Sequence, residues 1–145
     1  MKNYEFRLEK LLDMRRHKEE ECKIKFQQAQ SKKEEIKNRL MYLKDNYKKY
    51  MAVNSTESAI LKKIKHQYLK SLSSNIQNVT MELEHGKRVV EEIRADLKQK
   101  QIDRKVVETL KEKGRVAFMK EQNLIEQKAN DEFALYGFIR RNEGR

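Results

Sequence analysis

The side chains that most often carry out chemistry in proteins are few in this chain, and they are not spaced for it. There is one cysteine, Cys22, and there are three histidines, His17, His66 and His85. No histidine pair has the HExxH spacing of a zinc site and no second cysteine is present, so we expect no metal site. Cys22 cannot form an internal disulfide and falls on an apolar helix stripe, so we expect an inert core thiol.

Catalysis also needs a pocket, and the sequence predicts none. The chain contains neither a GxGxxG motif nor a Walker A phosphate loop. A chain of two packed helices leaves no cavity of enzyme dimensions. We therefore expect no catalytic residues, no cofactor and no small-molecule substrate. The candidates for function that remain are charged and aromatic side chains that a partner could bind.

Composition indicates long helices. Of the 145 residues 37% are hydrophobic and 39% are charged, with no proline and only four glycines. Residues that break helices are nearly missing, and the apolar groups are too few for a large central core. The longest nearly apolar run, residues 133–139, is far shorter than the roughly 20 residues of a membrane span, and the charged N-terminus is unlike a signal peptide. The sequence therefore predicts a cytoplasmic protein.

The charge balance favours acidic partners. Thirty-four basic and 23 acidic residues give a formal net charge of +11. Nucleic acid, anionic lipid and an acidic protein surface all fit this bias. A basic leucine zipper would place a dense basic block before its heptads, whereas Lys and Arg are interleaved with acids here, which disfavours nucleic acid.

Two heptad stripes run along the chain, and such alternating spacings of four and three are the mark of a coiled-coil seam. The first stripe contains Leu8, Leu12, Cys22, Phe26, Ala29, Ile36, Leu40, Leu43, Tyr47 and Tyr50, interrupted by Arg15, Glu19 and Lys33. The second contains Leu69, Leu72, Ile76, Val79, Leu83, Val90, Ile93 and Leu97, interrupted by Gly86 and Lys100, and then thins to Leu110, Ala117 and Leu124.

A polar link, AVNSTESA, separates the stripes. Ser55 or Thr56 is expected to cap a second helix, with Glu57 in its first turn. The pattern predicts an all-α protein whose two long helices form an antiparallel coiled-coil hairpin, the second helix longer than the first. We expect one domain, residues 1–145, with helix 1 over about 3–52, the turn over about 53–57 and helix 2 over about 57–140. A parallel dimer of continuous rods is the alternative.

A turn centred near residue 55 would pair residue i of helix 1 with about residue 110 − i of helix 2. Helix 1 then runs out opposite residues 104–107, within the segment RKVVETLKEK. Beyond it, helix 2 would overhang by about 35 residues, or roughly 50 Å. Such an overhang is either a frayed tail or a segment that becomes ordered inside a partner.

Tyrosines gather near the link. Tyr42, Tyr47, Tyr50 and Tyr68 are four of the six in the chain. Tyr47 and Tyr50 fall on the seam, so part of the cluster is core. Because wide aromatic rings with polar tips are common at interfaces, a patch that faces a partner is the other interpretation.

Three segments carry a resemblance to a known family. They are FRLEKLLDMRRHKEEE, RKVVETLKEK and EQKANDEFALYGFIRR, and in this order they resemble the N-terminal, middle and C-terminal signatures of the FliJ family of the flagellar type III export apparatus. FliJ proteins are similar to the central stalk of rotary ATPases. The resemblance implies a non-enzymatic stalk or adaptor, cytoplasmic and peripherally associated with the inner membrane at the flagellar base. Its implied partners are the hexameric export ATPase, the cytoplasmic domain of the export gate FlhA, and export chaperones.

The resemblance also implies site residues. The end that enters the ATPase ring would contain Arg104, Lys105, Glu108, Lys111 and Lys113, the turns around Phe6 and Leu11, and a second block of Glu126, Lys128, Asp131 and Glu132. The gate-binding end would contain Tyr42, Tyr47, Tyr50 and Tyr68. Gly114 and Gly137 stand where the family pattern has charged residues.

Read without the resemblance, the same charges form a solvated helix face with i,i+4 pairs. Three functions therefore stay open: the export stalk, a basic protein that binds nucleic acid or anionic lipid, and a purely structural coiled-coil dimer.

Overall fold

Two long helices account for nearly all of the computed structural model, which describes residues 3–52 and 56–144. The first helix, α1, spans Glu9–Met51 with 43 residues, and the second, α2, spans Ala59–Glu143 with 85 residues. They pack on each other as an antiparallel hairpin, and the described ranges contain no strand. The predicted all-α hairpin with a longer second helix is confirmed.

The first helix begins later than residue 3, where the stripe predicted it. Residues 3–6 are not helical and residues 7–8 form a turn. The Glu9 N–H donates to the Phe6 carbonyl at 3.2 Å. The Tyr4 ring lies against Phe118 of α2, with ring centroids 5.7 Å apart. Because the Tyr4 side chain packs on α2, the chain that precedes Glu9 runs toward this contact and is not part of α1.

The second helix is capped by a different residue from the one expected. The Ser58 hydroxyl accepts a hydrogen bond from the Leu61 N–H at 3.3 Å, which is the pattern of an N-cap serine. Thr56 is therefore not the cap, and Ser55 lies outside the described residues, as does most of the predicted turn. Glu57 stands before the helix, where it accepts a hydrogen bond from Lys65 Nζ at 2.9 Å.

The seam between the helices follows the two stripes. Leu40, Val79 and Leu83 form a buried cluster. Along both helices the buried apolar residues are Leu12, Cys22, Leu40, Leu72, Val79, Leu83, Val90 and Val107. Leu8 and Tyr50, the two end positions of the first stripe, are exposed instead. No described helical segment combines the length and the apolar character that crossing a bilayer requires.

The register differs from the prediction. Residue i of α1 lies opposite about residue 120 − i of α2, as in the contact of Phe26 with Arg94, instead of 110 − i. The reason lies in the link. Lys65 Nζ donates to the Ala52 carbonyl at 3.2 Å as well as to Glu57, which holds both ends of the link beside the second turn of α2. The first turns of α2 therefore lie past the end of α1.

The chain divides into two compact units, Lys18–Lys100 and Met1–His17 with Gln101–Arg145. In the second of these the shifted register corrects the predicted end of the paired region. Val107 is only 2% exposed, and the N-terminal residues cover α2 as far as Phe118. The seam passes through Val107, Gly114 and Phe118, whereas Leu110 and Leu124 are exposed. The overhang therefore begins after Phe118 and not within RKVVETLKEK.

We predict that Leu40→Ala lowers the free energy of unfolding by about 2–5 kcal/mol, because it opens a cavity against Val79 and Leu83. Urea unfolding followed by circular dichroism measures the change. Met81→Ala is the matched control, since Met81 is 72% exposed and its truncation should cost less than about 0.5 kcal/mol. Equal effects of the two substitutions would contradict the assigned seam.

Candidate partner-binding surfaces

The charged residues of RKVVETLKEK are partly used within the protein. Arg104 Nη1 lies 2.7 Å from Glu108 Oε2, and its side chain is 22% exposed. Glu108 also pairs with Arg16 at 3.3 Å. Lys111 Nζ donates to Glu9 at 2.8 Å. Two of the five residues that the resemblance assigned to the ATPase, Glu108 and Lys111, therefore hold the N-terminal turns of α1 against α2, and Arg104 pairs with Glu108 within α2.

These ion pairs surround Val107. The Arg104 guanidinium, followed by that of Arg16, holds the pKa of Glu108 below its usual range. Arg15 Nη1 adds a hydrogen bond to the Asp103 carbonyl at 2.6 Å. Each of these half-exposed pairs contributes at most about 1 kcal/mol to the free energy of unfolding. Their main effect is therefore to fix the position of α1 on α2.

The remaining face of this segment is open to solvent. Lys105 and Lys113 are exposed. Lys113 lines a shallow groove of about 290 Å³ with Glu112, Val116 and Lys120. The Glu112 carboxylate accepts two hydrogen bonds from Arg115, which lowers the pKa of Glu112. Lys105 and Lys113 are thus the predicted residues of this block that a partner could reach most directly.

The N-terminal turns are also partly occupied. Phe6 and Leu11 are half-buried. Tyr4 lies over Gly114: a Cβ atom on Gly114 would overlap the Tyr4 hydroxyl and would lie 3.1 Å from its Cζ. Gly114 therefore makes room for the ring, because any side chain at this position would meet Tyr4.

Past Phe118, the described part of α2 is almost entirely exposed. Among residues 119–144 only Gln122 is half-buried, and all the others are exposed. We call residues 119–143 the C-terminal helix segment. Its second predicted block, Glu126, Lys128, Asp131 and Glu132, is wholly exposed. Its large exposed apolar side chains are Met119, Leu124, Ile125, Phe133, Leu135, Tyr136, Phe138 and Ile139. A monomer seldom leaves so many apolar groups in water, so this segment is a candidate docking surface.

The tyrosines near the link do not form one cluster. Tyr50 and Tyr68 meet edge to face, with centroids 5.1 Å apart and an interplanar angle of 81°. Tyr47 is half-buried on the seam. Tyr42 is 66% exposed and projects from α1 without a ring partner among the described residues. Only the Tyr50–Tyr68 pair is brought together.

A groove of about 480 Å³ adjoins that pair, lined by Tyr50, Glu57, Leu61, Ile64, Lys65 and Tyr68. The second carboxylate oxygen of Glu57 is buried there and accepts no hydrogen bond from the residues that the structure describes. Such an oxygen is stabilised when a ligand donates to it. Sequence reasoning overlooked Leu61 and Ile64. Their signal was available, because both are apolar residues in the first turns of α2 that lie off the heptad stripe.

The remaining reactive groups have structural surroundings. Cys22 is buried in the seam, as predicted. Its Sγ lies 3.5 Å from Asp96, and burial, followed by that carboxylate, raises the pKa of the thiol. The described residues contain no cluster of metal-ligating side chains that could hold an ion.

Two features are thus candidate surfaces for binding a partner. They are the C-terminal helix segment and the groove beside Tyr50 and Tyr68. The model of one protein family, described as Flagellar FliJ protein, matches residues 4–143. The chain belongs to the flagellar FliJ family. Comparison with curated proteins and with solved structures finds no match. As a FliJ-family chain it is a component of the flagellar export apparatus, in which the family is non-catalytic.

We predict that Gly114→Ala expels the Tyr4 ring and releases the segment before Glu9, because the new Cβ overlaps the Tyr4 hydroxyl. Tryptic cleavage after Arg7 should become faster. Gly86→Ala is the matched control, since its nearest atom, Ile36 Cδ1, is 3.8 Å away. It should raise the free energy of unfolding by up to about 1 kcal/mol, because alanine favours a helix more than glycine does.

Thermal unfolding and the cleavage rate are measured on both variants. If the two variants melt at the same temperature and trypsin cleaves Gly114→Ala no faster than the unaltered protein, the packing of Tyr4 on α2 does not require glycine at position 114.

Proposed function

We propose that this FliJ-family chain is a stalk or adaptor of the flagellar type III export apparatus. Its C-terminal helix segment enters the ring of the hexameric export ATPase, and the region around the turn contacts the cytoplasmic domain of the export gate FlhA. The chain acts in the cytoplasm, peripherally at the inner membrane, and export chaperones are further partners. The observation that carries the proposal is the stretch of α2 past Phe118, in which every described residue except Gln122 is exposed.

The side chains of that stretch suit a ring. Phe133, Leu135, Tyr136 and Phe138 point to different sides of the helix, since successive residues are rotated by about 100°. All four are exposed. A helix that is apolar on every side is stable when it is surrounded. The central opening of a hexamer surrounds a helix, whereas a groove or a flat surface would cover only one side.

The segment 104–113 has a supporting role in this proposal. Glu108 and Lys111 anchor the N-terminal turns, and Arg104 holds the Glu108 carboxylate from within α2, so α2 is stiffened before its partner helix ends. Lys105 and Lys113 stay exposed and supply the adaptable charged contacts at the rim of the ring. Contacts of this kind are screened by salt, so ring binding should weaken as the ionic strength rises.

The ring test uses the full chain. Phe133→Ala with Tyr136→Ala should weaken binding to the export ATPase by at least about tenfold and abolish stimulation of ATP turnover, because large aromatic anchors dominate interface energies. Ile24→Ala with Met81→Ala is the matched control, since both of its residues are also exposed. Binding is measured by pull-down and turnover by phosphate release. Full stimulation by the aromatic variant would make the C-terminal helix segment a passive tail.

The gate contact is proposed for the groove and the nearby tyrosines. An apolar wall with one unsatisfied carboxylate oxygen fits a segment that presents an apolar side chain next to an N–H or hydroxyl donor. Tyr50 and Tyr68 line the groove, and we assign the exposed Tyr42 and the half-buried Tyr47 to the same gate-binding end.

For the gate contact, Leu61→Ala with Tyr68→Ala should weaken binding of the FlhA cytoplasmic domain by at least about tenfold, because both side chains line the groove. Tyr42→Ala reports separately on the exposed tyrosine. Isothermal titration measures the affinities, and circular dichroism verifies that the hairpin is intact. Unchanged affinity in a folded double variant would leave the groove without a role in gate binding.

A further inference from the structure

Positive charge is concentrated around the turn. Residues 44–70 contain seven lysines and no arginine, against only Asp45 and Glu57, so this stretch holds a net +5 of the total +11. Lys65 is used within the link, and the other six lysines, Lys44, Lys48, Lys49, Lys62, Lys63 and Lys70, are exposed. The C-terminal helix segment differs, since it has four basic and five acidic residues. The basic character therefore belongs to the turn in particular.

Bulky apolar side chains lie among these lysines. Ile60 is 73% exposed, and Leu61, Ile64 and Met51 are each more than half exposed. Ile60 and Ile64 are four residues apart and so share one face of α2, with Leu61 beside them. Lys62 and Lys63 fall on the other sides. The first turns of α2 therefore have an apolar face bordered by flexible cations.

We propose that the turn docks on the surface of an anionic lipid bilayer. Ile60, Leu61 and Ile64 insert between the headgroups, and the exposed lysines bind lipid phosphates. Stable attachment to a membrane surface generally needs two signals, and buried apolar area together with a basic cluster is such a combination. The lysine side chains can reach along the surface while their stems stay on the apolar part.

The apolar face distinguishes lipid from other polyanions. Binding to the phosphates of nucleic acid needs only the cations, and its base contacts use aromatic platforms or arginine forks. Neither explains three aliphatic side chains that point into solvent at the centre of the basic region. A bilayer interface takes up both groups of side chains. The inference rests on residues 44–70 and does not depend on binding to the export ATPase. Because Leu61 and Ile64 also line the groove proposed for the gate, the bilayer and the gate bind this surface in alternation, and lipid binding is tested without the gate.

The test is co-sedimentation of the full chain with vesicles of phosphatidylcholine, alone or mixed with phosphatidylglycerol. Only the mixed vesicles should bind the chain. Binding should fall between about 0.1 M and about 1 M salt, as the Debye length shrinks from about 10 Å to about 3 Å. Equal sedimentation with both kinds of vesicle would overturn the proposal.

Two pairs of variants separate insertion from charge. Ile60→Glu with Ile64→Glu should weaken binding to the mixed vesicles by at least about tenfold. Ile24→Glu with Met81→Glu changes the net charge equally at exposed apolar positions of the same unit, and should leave binding within about twofold. Lys62→Glu with Lys63→Glu should likewise weaken binding more than Lys32→Glu with Lys37→Glu. Equal losses within either comparison would mean that only net charge matters, and would overturn the proposal.

The absence of tryptophan from the chain supplies a direct reporter. Ile60→Trp places the only indole on the apolar face, and its emission should shift to shorter wavelength with phosphatidylglycerol vesicles but not with single-stranded DNA. An unshifted emission on sedimented vesicles would show that the face stays in water and that the turn binds polyanions by charge alone. That result would overturn the proposal without bearing on the export ATPase or gate contacts.

Discussion

The difference in length between the two helices is the constraint on which the other features depend. α1 has 43 residues and α2 has 85, so α1 can cover only part of the face that α2 presents. The link between the helices decides which part of α2 packs against α1. Ser58 begins α2, and Lys65 holds Ala52 and Glu57 beside its second turn. Two stretches of α2 are therefore left without α1, the first turns with Ile60 and Ile64 and the C-terminal helix segment.

Heptad spacing predicted the faces of the helices but could not predict their register. A seam of repeated apolar layers can be paired in several offsets that bury similar area, and the choice among them depends on specific contacts. Here those contacts are polar. Lys65 with its two acceptors and the Ser58 cap involve ordinary surface residue types, which have no distinctive pattern in the sequence. The offset between the predicted and observed registers follows from this one region.

The same ambiguity explains the misplaced overhang. Past Leu97 the seam positions of α2 include Lys100, Arg104, Lys111 and Gly114. A prediction from apolar spacing alone misses these positions and assigns Leu110 and Leu124 to the seam instead. Long cationic side chains can occupy a seam because their stems pack while their charged ends reach carboxylates such as Glu108 and Glu9. RKVVETLKEK resembled a partner surface because it is a charged seam, and three of its charges meet partners within the chain.

The exposed stretch of α2 is helical because of what precedes it. An isolated segment of this length would be marginal in water, since the first turn of a helix is costly to form. Here the helix is already nucleated and is packed from Leu69 to Phe118, so each further residue needs only the favourable step of propagation. Gly137 makes helix formation at its position less favourable by roughly 1 kcal/mol than alanine would. The aromatic side chains around it are exposed to solvent and so do not stabilise the helix. The paired part of the hairpin therefore holds the C-terminal helix segment in a helix before any partner binds, with its apolar side chains exposed. A partner that surrounds these side chains then loses little binding free energy to the entropic cost of ordering the backbone.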